Sequence, residues 1–129
     1  MQKNGVLADT SVWIEYFNTV SPTSNELEQL IRERKVWGSG IIVVELLLGA
    51  RTDKEAELIL SGINAIPFVD TTKEMWFKAA GLGFKLKRKG ITIPISDLVI
   101  ATCAIEHNLM LFTLDKHFES IPEITLYKI

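Results

Sequence analysis

The sequence has one cysteine in 129 residues, so no disulfide can form within the chain and a disulfide scaffold is excluded. It has no apolar run near the roughly 20 residues of a membrane-spanning helix, and the absence of a signal peptide predicts a reduced, cytoplasmic protein. With 47% hydrophobic residues and a net charge of only −2, the chain is not disordered. No repeat or flexible linker divides it, so residues 1–129 are expected to form one domain.

The sequence also lacks the basic excess that nucleic-acid-binding domains usually show, since its 14 basic residues are outnumbered by 16 acidic ones. This total does not exclude such binding, because acids gathered in one pocket can coexist with a basic rim. One basic run, Lys85–Lys89, closes a predicted helix. It is expected to be a solvated helix end that could also steer a polyanion.

Short apolar runs alternate with helical periodicity, which is typical of a parallel sheet covered by helices. The pattern predicts an α/β fold, a three-layer α/β/α sandwich with a central, mainly parallel sheet. Two helices, 41–48 and 97–107, are apolar on nearly every side and are expected to be buried all round. Ser24 and Thr52 are the predicted caps of two other helices. The predicted strands are 6–8, 35–39, 65–69, 109–113 and an edge strand at 125–127, and the predicted helices are 11–17, 24–34, 41–48, 53–60, 72–88 and 97–107.

Four acidic residues interrupt apolar runs. Asp9 and Asp115 follow predicted strands, Asp97 opens an apolar helix, and Glu45 is the only charged residue between Gly40 and Ala50. Burying an ionised carboxylate without a partner costs several kcal/mol. Neither Glu45 nor Asp97 has a Lys or Arg at helical spacing, so a divalent cation such as Mg²⁺ or Mn²⁺ would resolve the conflict.

Each acid alone also has a simpler explanation. Asp9 could cap a helix, Asp97 could interact with its helix dipole, Asp115 could close a turn, and Glu45 could be partly exposed. Together, however, the four are expected to meet at the edge of the sheet where ligands of α/β proteins bind. Cys103, His107 and His117 lack metal-ligand spacing with one another, so both histidines are expected to be structural and the cysteine to be a core thiol.

Four motifs extend over nearly the whole chain, from about residue 6 to residue 127, and their order and spacing resemble the PIN-domain ribonucleases. Within that family the sequence is most similar to the VapC-type toxins of toxin–antitoxin pairs. The motifs are Asp9-Thr10-Ser11, Ser39 with Glu45-Leu46 and Gly49, Ser96-Asp97 with Ile100-Ala101, and Thr113-Leu114-Asp115 with Phe118.

This resemblance implies a three-layer fold and a Mg²⁺- or Mn²⁺-dependent endoribonuclease that cleaves RNA phosphodiester bonds and is held inactive by a cognate antitoxin. Carried over by position, Asp9 and Asp97 are the principal metal ligands. Glu45 and Asp115 complete the cluster by holding a second metal or by orienting the attacking water. The supporting hydroxyl groups are those of Ser11 and Thr113.

Two other classes of protein compete with this interpretation. One is a phosphoryl-transfer domain of the receiver or haloacid-phosphatase kind, but the phosphatase pattern requires a second Asp where the chain has Ser11, and a receiver requires paired acids after its first strand. The other is a catalytically silent module that binds a partner or RNA through Lys85–Lys89. In either case the apolar helices near residues 36–60 predict a homodimer.

Overall fold

The computed structural model describes residues 5–129, in which a four-stranded parallel sheet is flanked by helices. The strands lie in the order β3-β2-β1-β4, with Val6 opposite both Val36 and Met110. This arrangement confirms the predicted α/β class. The elements along the chain are β1 Val6–Ala8, α1 Thr10–Asn18, α2 Pro22–Arg32, β2 Val36–Ser39, α3 Gly40–Leu48, α4 Asp53–Asn64, β3 Phe68–Val69, α5 Lys73–Arg88, α6 Ile95–Glu106, β4 Met110–Phe112 and a 3₁₀ helix Lys116–Ser120.

The N-caps of α2 and α4 can be compared with the caps predicted from the sequence. Thr52 caps α4 as predicted, by accepting a hydrogen bond from the backbone N–H of Glu55. The prediction that Ser24 caps α2 was wrong, because the N-cap is Ser21, three residues earlier, and the helix begins at Pro22. Pro22 fits the first helical position since it has no N–H to leave unpaired, and Ser24 completes a reciprocal capping box with Ser21.

The edge strand predicted at residues 125–127 is reduced to a single parallel bridge between Leu111 and Leu126. Two backbone hydrogen bonds still hold this segment against β4: Leu111 N–H donates to Thr125, and Tyr127 N–H donates to Leu111. The segment therefore lies beside β4, on the far side from β1, although it does not form a regular strand.

The two apolar helices have different environments. Every residue of α6 from Val99 to Ala104 is buried, as predicted. The same expectation for α3 was wrong: only Ile42 and Leu46 are buried, while Val44 is 53% and Leu48 81% exposed. The helix packs against α1, α4, α6 and β2 on its inner side and leaves an uncovered apolar outer side. No described helix is both long and apolar enough to span a bilayer.

Helices α5 and α6 pack against each other in an antiparallel pair. The ammonium group of Lys78, in the first half of α5, lies 2.5 Å from Glu106 at the end of α6. At the other end of the pair, a Cβ added to Gly83 would come 2.7 Å from Leu98 Cδ1. Glycine at position 83 therefore allows the second half of α5 to lie closely against the first turn of α6.

Candidate active site

Asp9 is the most deeply buried of the four acids, with only 4% of its surface exposed. It follows β1 and is the N-cap of α1, where one carboxylate oxygen accepts a hydrogen bond from Val12 N–H at 3.3 Å and another from Ser11 Oγ at 2.5 Å. Its second oxygen accepts a bond from Thr113 Oγ1 at 2.6 Å. Donors on both oxygens therefore fix the orientation of this carboxylate.

Burial raises the pKa of Asp9. The hydrogen bonds from Ser11, Thr113 and Val12 lower it but do not compensate for the loss of solvent, and the nearby charge of Asp97 raises it further. The ionised form of Asp9 is therefore less favourable in the folded chain than it is in water.

Ser11 and Thr113 connect Asp9 to the segment that carries Asp115. Ser11 Oγ accepts a hydrogen bond from Leu114 N–H at 3.0 Å, while Thr113 Oγ1 accepts one from Asp115 N–H, also at 3.0 Å. Each hydroxyl group therefore donates to the buried carboxylate and accepts from the loop after β4. The supporting roles that the resemblance implies for both residues stay predictions.

Glu45 reaches the site from α3 and is half-buried. Its carboxylate accepts a hydrogen bond from Thr10 Oγ1 at 2.5 Å, although the two residues are 35 positions apart in the chain. Consecutive hydroxyl groups at the start of α1, those of Thr10 and Ser11, thus hold two different carboxylates. Sequence reasoning missed Thr10, because its contact depends on how α1 packs against α3.

Asp97, Asp115 and His117 form a cluster in which one ligand atom from each lies within 4.8 Å of the others. The imidazole lies between the two carboxylates: Nε2 contacts Asp97, and Nδ1 lies 3.0 Å from Asp115 Oδ1. Sequence reasoning assigned His117 a structural role, whereas the structure places it in the acidic cluster. The only feature of the sequence that pointed to this placement is that His117 follows Asp115 by two residues. His107 lies elsewhere, with its Nε2 at 3.1 Å from the carbonyl oxygen of Asp70.

The pKa of Asp97 is raised, chiefly by burial. His117 lowers it, but the charges of Asp115 and Glu45 raise it again. Asp97 therefore lies within the electrostatic reach of the other three acids, since it also raises the pKa of Asp9. The four carboxylates predicted from the sequence are brought to one place.

The donor set fits a divalent cation. In residues 5–129, no Lys or Arg lies within salt-bridge distance of any of the four carboxylates, and His117 is the only basic side chain among them. Clustered carboxylates without cationic partners repel one another and favour hard divalent ions such as Mg²⁺ and Mn²⁺. Asp97, Asp115 and His117 could hold one such ion.

These features define a class of protein: an α/β protein with a parallel sheet and a carboxylate cluster that could hold a divalent metal. Residues 6–124 match the sequence model of the PIN domain, and the chain belongs to the PIN domain family. It is 32% identical over 125 residues to VapC ribonuclease Mb1587 of Mycobacterium bovis, with 93% of each chain covered. It is also 32% identical over 128 residues to ribonuclease VapC1 of Methanocaldococcus jannaschii, covering 97% of this chain and 87% of that one.

Solved structures show the same fold. VapBC2 of Rickettsia felis, bound to a DNA fragment from its promoter, matches with a TM-score of 0.82 at 26% identity, over 95% of this chain and 96% of that one. DNA-bound VapBC of Salmonella typhimurium matches with a TM-score of 0.80 at 24% identity, over 98% of each chain. The PIN-like sandwich implied by the resemblance is therefore confirmed, and family membership decides against the receiver and haloacid-phosphatase alternatives.

Proposed function

We propose that the chain is a metal-dependent endoribonuclease that hydrolyses RNA phosphodiester bonds in the cytoplasm as the toxin of a toxin–antitoxin pair. The observation that carries the proposal is the convergence of four carboxylates from separate parts of the chain at a site where no Lys or Arg of residues 5–129 pairs with them. The names of the curated relatives, which are VapC ribonucleases, support RNA as the substrate.

Asp9 and Asp97 are the proposed principal metal ligands, with Glu45 and Asp115 as ligands of a second ion or as groups that orient the attacking water. Mg²⁺ or Mn²⁺ is the proposed ion, because both prefer carboxylate oxygen. When bound, a divalent ion lowers the pKa of coordinated water and polarises phosphoryl oxygens. The carboxylates provide the negative charge that would hold the ion. The carboxylate that orients the attacking water also accepts a hydrogen bond from that water.

The hydroxyl groups around the acids are proposed to position them. Thr113 and Ser11 hold Asp9, while Thr10 holds Glu45. A hydrogen bond from a neighbouring side chain fixes a ligand's orientation, and its loss typically lowers metal affinity or activity about 10- to 100-fold.

We expect Thr113→Val to lower RNA cleavage about 10- to 100-fold and to weaken metal binding, because valine has the shape of threonine but cannot donate to Asp9 or accept from Asp115 N–H. Cleavage rates and titration calorimetry with Mn²⁺ measure the two effects. Thr125→Val is the matched control, since Thr125 is exposed and its side chain has no hydrogen bond among the described residues. Equal activity and affinity in both variants would show that the Thr113 hydroxyl does not position Asp9.

A cognate antitoxin is the proposed protein partner. Solved relatives include a toxin–antitoxin complex from Klebsiella pneumoniae and VapBC complexes, and apolar side chains of this chain remain exposed on α3 and α4, among them Val44, Leu48 and Leu58. These side chains also support the homodimer predicted from residues 36–60. Exposed apolar surface of this kind marks protein contacts.

The test of the proposed function is cleavage of a mixture of structured RNAs by the purified protein in Mn²⁺, in Mg²⁺ and in chelator, followed on a denaturing gel. We expect fragments in at least one metal and none in chelator. Metal-induced stabilisation without cleavage of any RNA would favour the catalytically silent binding module instead. Cleavage in chelator would contradict the metal-dependent mechanism.

A further inference from the structure

The last turn of α5 carries a basic surface that the proposed metal site does not use. Its exposed cations are Lys85, Lys87, Arg88 and Lys89, and none has a carboxylate within salt-bridge distance among residues 5–129. Phe84 lies among them with 63% of its surface exposed. We call these five residues the α5 ridge.

Helix stability alone does not account for the α5 ridge. Cations near a helix C-terminus interact favourably with the helix dipole, but an exposed phenylalanine gains nothing from it. The guanidinium group of Arg88 lies 5.6 Å from the centroid of the Phe84 ring, so the ridge presents an aromatic face beside a cation. Lys78, by contrast, lies earlier on the same helix and is paired with Glu74 and Glu106.

The orientation of the α5 ridge is fixed by its buried neighbours. Leu86 is only 3% exposed and anchors the inner side of this turn. Its carbonyl oxygen accepts hydrogen bonds from the N–H groups of Lys89 and Ile91, both at 2.9 Å, which close the end of the helix. The cations therefore project from an ordered turn with its apolar side packed inward.

The α5 ridge lies at the same end of the α5–α6 pair as Asp97. Because α5 and α6 are antiparallel and Gly83 packs on Leu98, the end of α5 lies beside the first turn of α6, which carries Asp97. Residues 89–94 then lead directly into that turn. At 1.5 Å per residue, Arg88 lies about 7.5 Å further along the helix axis than Gly83.

We propose that the α5 ridge binds the backbone of single-stranded RNA beside the cleaved bond, with a base stacked on Phe84. This inference rests on the proposed function and names where its substrate docks. A cluster of four carboxylates repels a polyanion, so RNA needs cations nearby to bind, and the ridge supplies four that have no carboxylate partner among residues 5–129. Cations interleaved with an exposed aromatic ring are the combination that single-stranded nucleic acid binds.

The binding test uses a fluorescent single-stranded RNA of about 20 nucleotides, measured by anisotropy in chelator so that no cleavage occurs. The ridge variant replaces Lys85, Lys87, Arg88 and Lys89 by Gln. The matched control removes the same charge from four other exposed cations, Arg34, Lys35, Lys54 and Lys73, by the same substitution. We expect about 10- to 100-fold weaker binding and a shallower salt dependence for the ridge variant, with a much smaller effect in the control.

Two further measurements test the base stacking and the location. Phe84→Ala, with all cations retained, is expected to weaken RNA binding about 10-fold without changing the salt dependence. In Mn²⁺, the ridge variant should raise the KM for long RNA and leave hydrolysis of bis(p-nitrophenyl) phosphate unchanged, because this small phosphodiester does not extend to the ridge.

Equal losses of affinity in the ridge variant and the control would overturn the proposal, since net charge alone would then explain binding. So would unchanged binding in the ridge variant, or a changed molecular mass by light scattering, which would assign this face to a protein partner. Failure of the proposed function has a different signature: the wild-type protein would cleave neither RNA nor the small phosphodiester in any metal, while the binding measurement still reports on the ridge.

Discussion

Asp97→Asn is expected to abolish metal-dependent RNA cleavage, with a loss of about 10³-fold or more in kcat/KM, equivalent to about 4 kcal/mol of transition-state stabilisation. Asparagine keeps the size of the side chain and its place in the first turn of α6, but it removes the negative charge from a site where His117 is the only basic side chain among residues 5–129. A neutral amide binds a divalent ion more weakly than a carboxylate does. Single-turnover cleavage of RNA in Mn²⁺ measures the loss.

Asp53→Asn is the matched control for this substitution. Asp53 also lies in the first turn of a helix, α4, but it is exposed and belongs to no acidic cluster found among residues 5–129. If the only effect of Asp97 were its favourable interaction with the helix dipole, both substitutions would reduce stability by about 0.3–1 kcal/mol and leave catalysis intact. Cleavage by Asp97→Asn within a few-fold of the wild-type rate would therefore contradict the proposed role of Asp97.

The same variant has an expected effect on stability. Because the pKa of Asp97 is raised, its ionised form is less favourable in the folded chain than in the unfolded chain. Asp97→Asn removes that charge, so in chelator at neutral pH its melting temperature should equal or exceed that of the wild type. A marked decrease would indicate that the contact with His117 outweighs burial.

The four acids could be predicted from the sequence because each is conspicuous in its local context. Asp9 follows a three-residue apolar strand, and Glu45 is the one charge in a helix of otherwise apolar residues and glycine. The rule that ligands of parallel sheets bind beyond the strand ends then predicted where they meet. Their roles stay predictions until the variants are measured.

The partners of these acids could not be predicted in the same way. The bond from Thr10 to Glu45 joins residues 35 positions apart, and the contact between His117 and Asp97 joins residues 20 positions apart. Both depend on the tertiary approach of separate elements, which neither helical spacing nor hydrophobic periodicity encodes. Metal-ligand spacing was sought only among the histidines and the cysteine, so the place of His117 beside Asp97 and Asp115 was missed.

The wrong prediction that α3 is buried on all sides has a different cause. Periodicity reports which side of a helix is polar, and α3 has almost no polar side, so the pattern cannot distinguish a core helix from one with an exposed apolar surface. The identical argument succeeded for α6, whose residues Val99–Ala104 are buried. What separates the two helices is where their neighbours lie, since the elements that pack against α3 all cover its inner side and leave the outer side exposed. The exposed Leu48 is therefore evidence about partners rather than about the core of this chain.

Metal is expected to stabilise the folded chain strongly, and increasingly so as the pH rises. At a free concentration about 100 times its Kd, an ion that binds only the folded state adds about 2.7 kcal/mol, which raises the melting temperature of a domain of this size by about 10 °C. Thermal melts in Mn²⁺ or Mg²⁺ against chelator measure the shift. Asp97→Asn should lose most of it, whereas Asp53→Asn should keep it.

The pH dependence follows from Asp9 and Asp97, whose pKa values burial raises. Without metal, the folded chain holds these protons more tightly than the unfolded chain, so both groups contribute most stability below their unfolded pKa and lose that contribution as the pH rises through the folded values. Metal requires the ionised carboxylates and displaces the protons. The metal-induced shift should therefore be largest at neutral pH and above and shrink in acid, with proton release detected by calorimetry in buffers of different ionisation enthalpy. An equal shift at pH values above and below the folded pKa values, without proton release, would mean that the ion binds away from these two carboxylates.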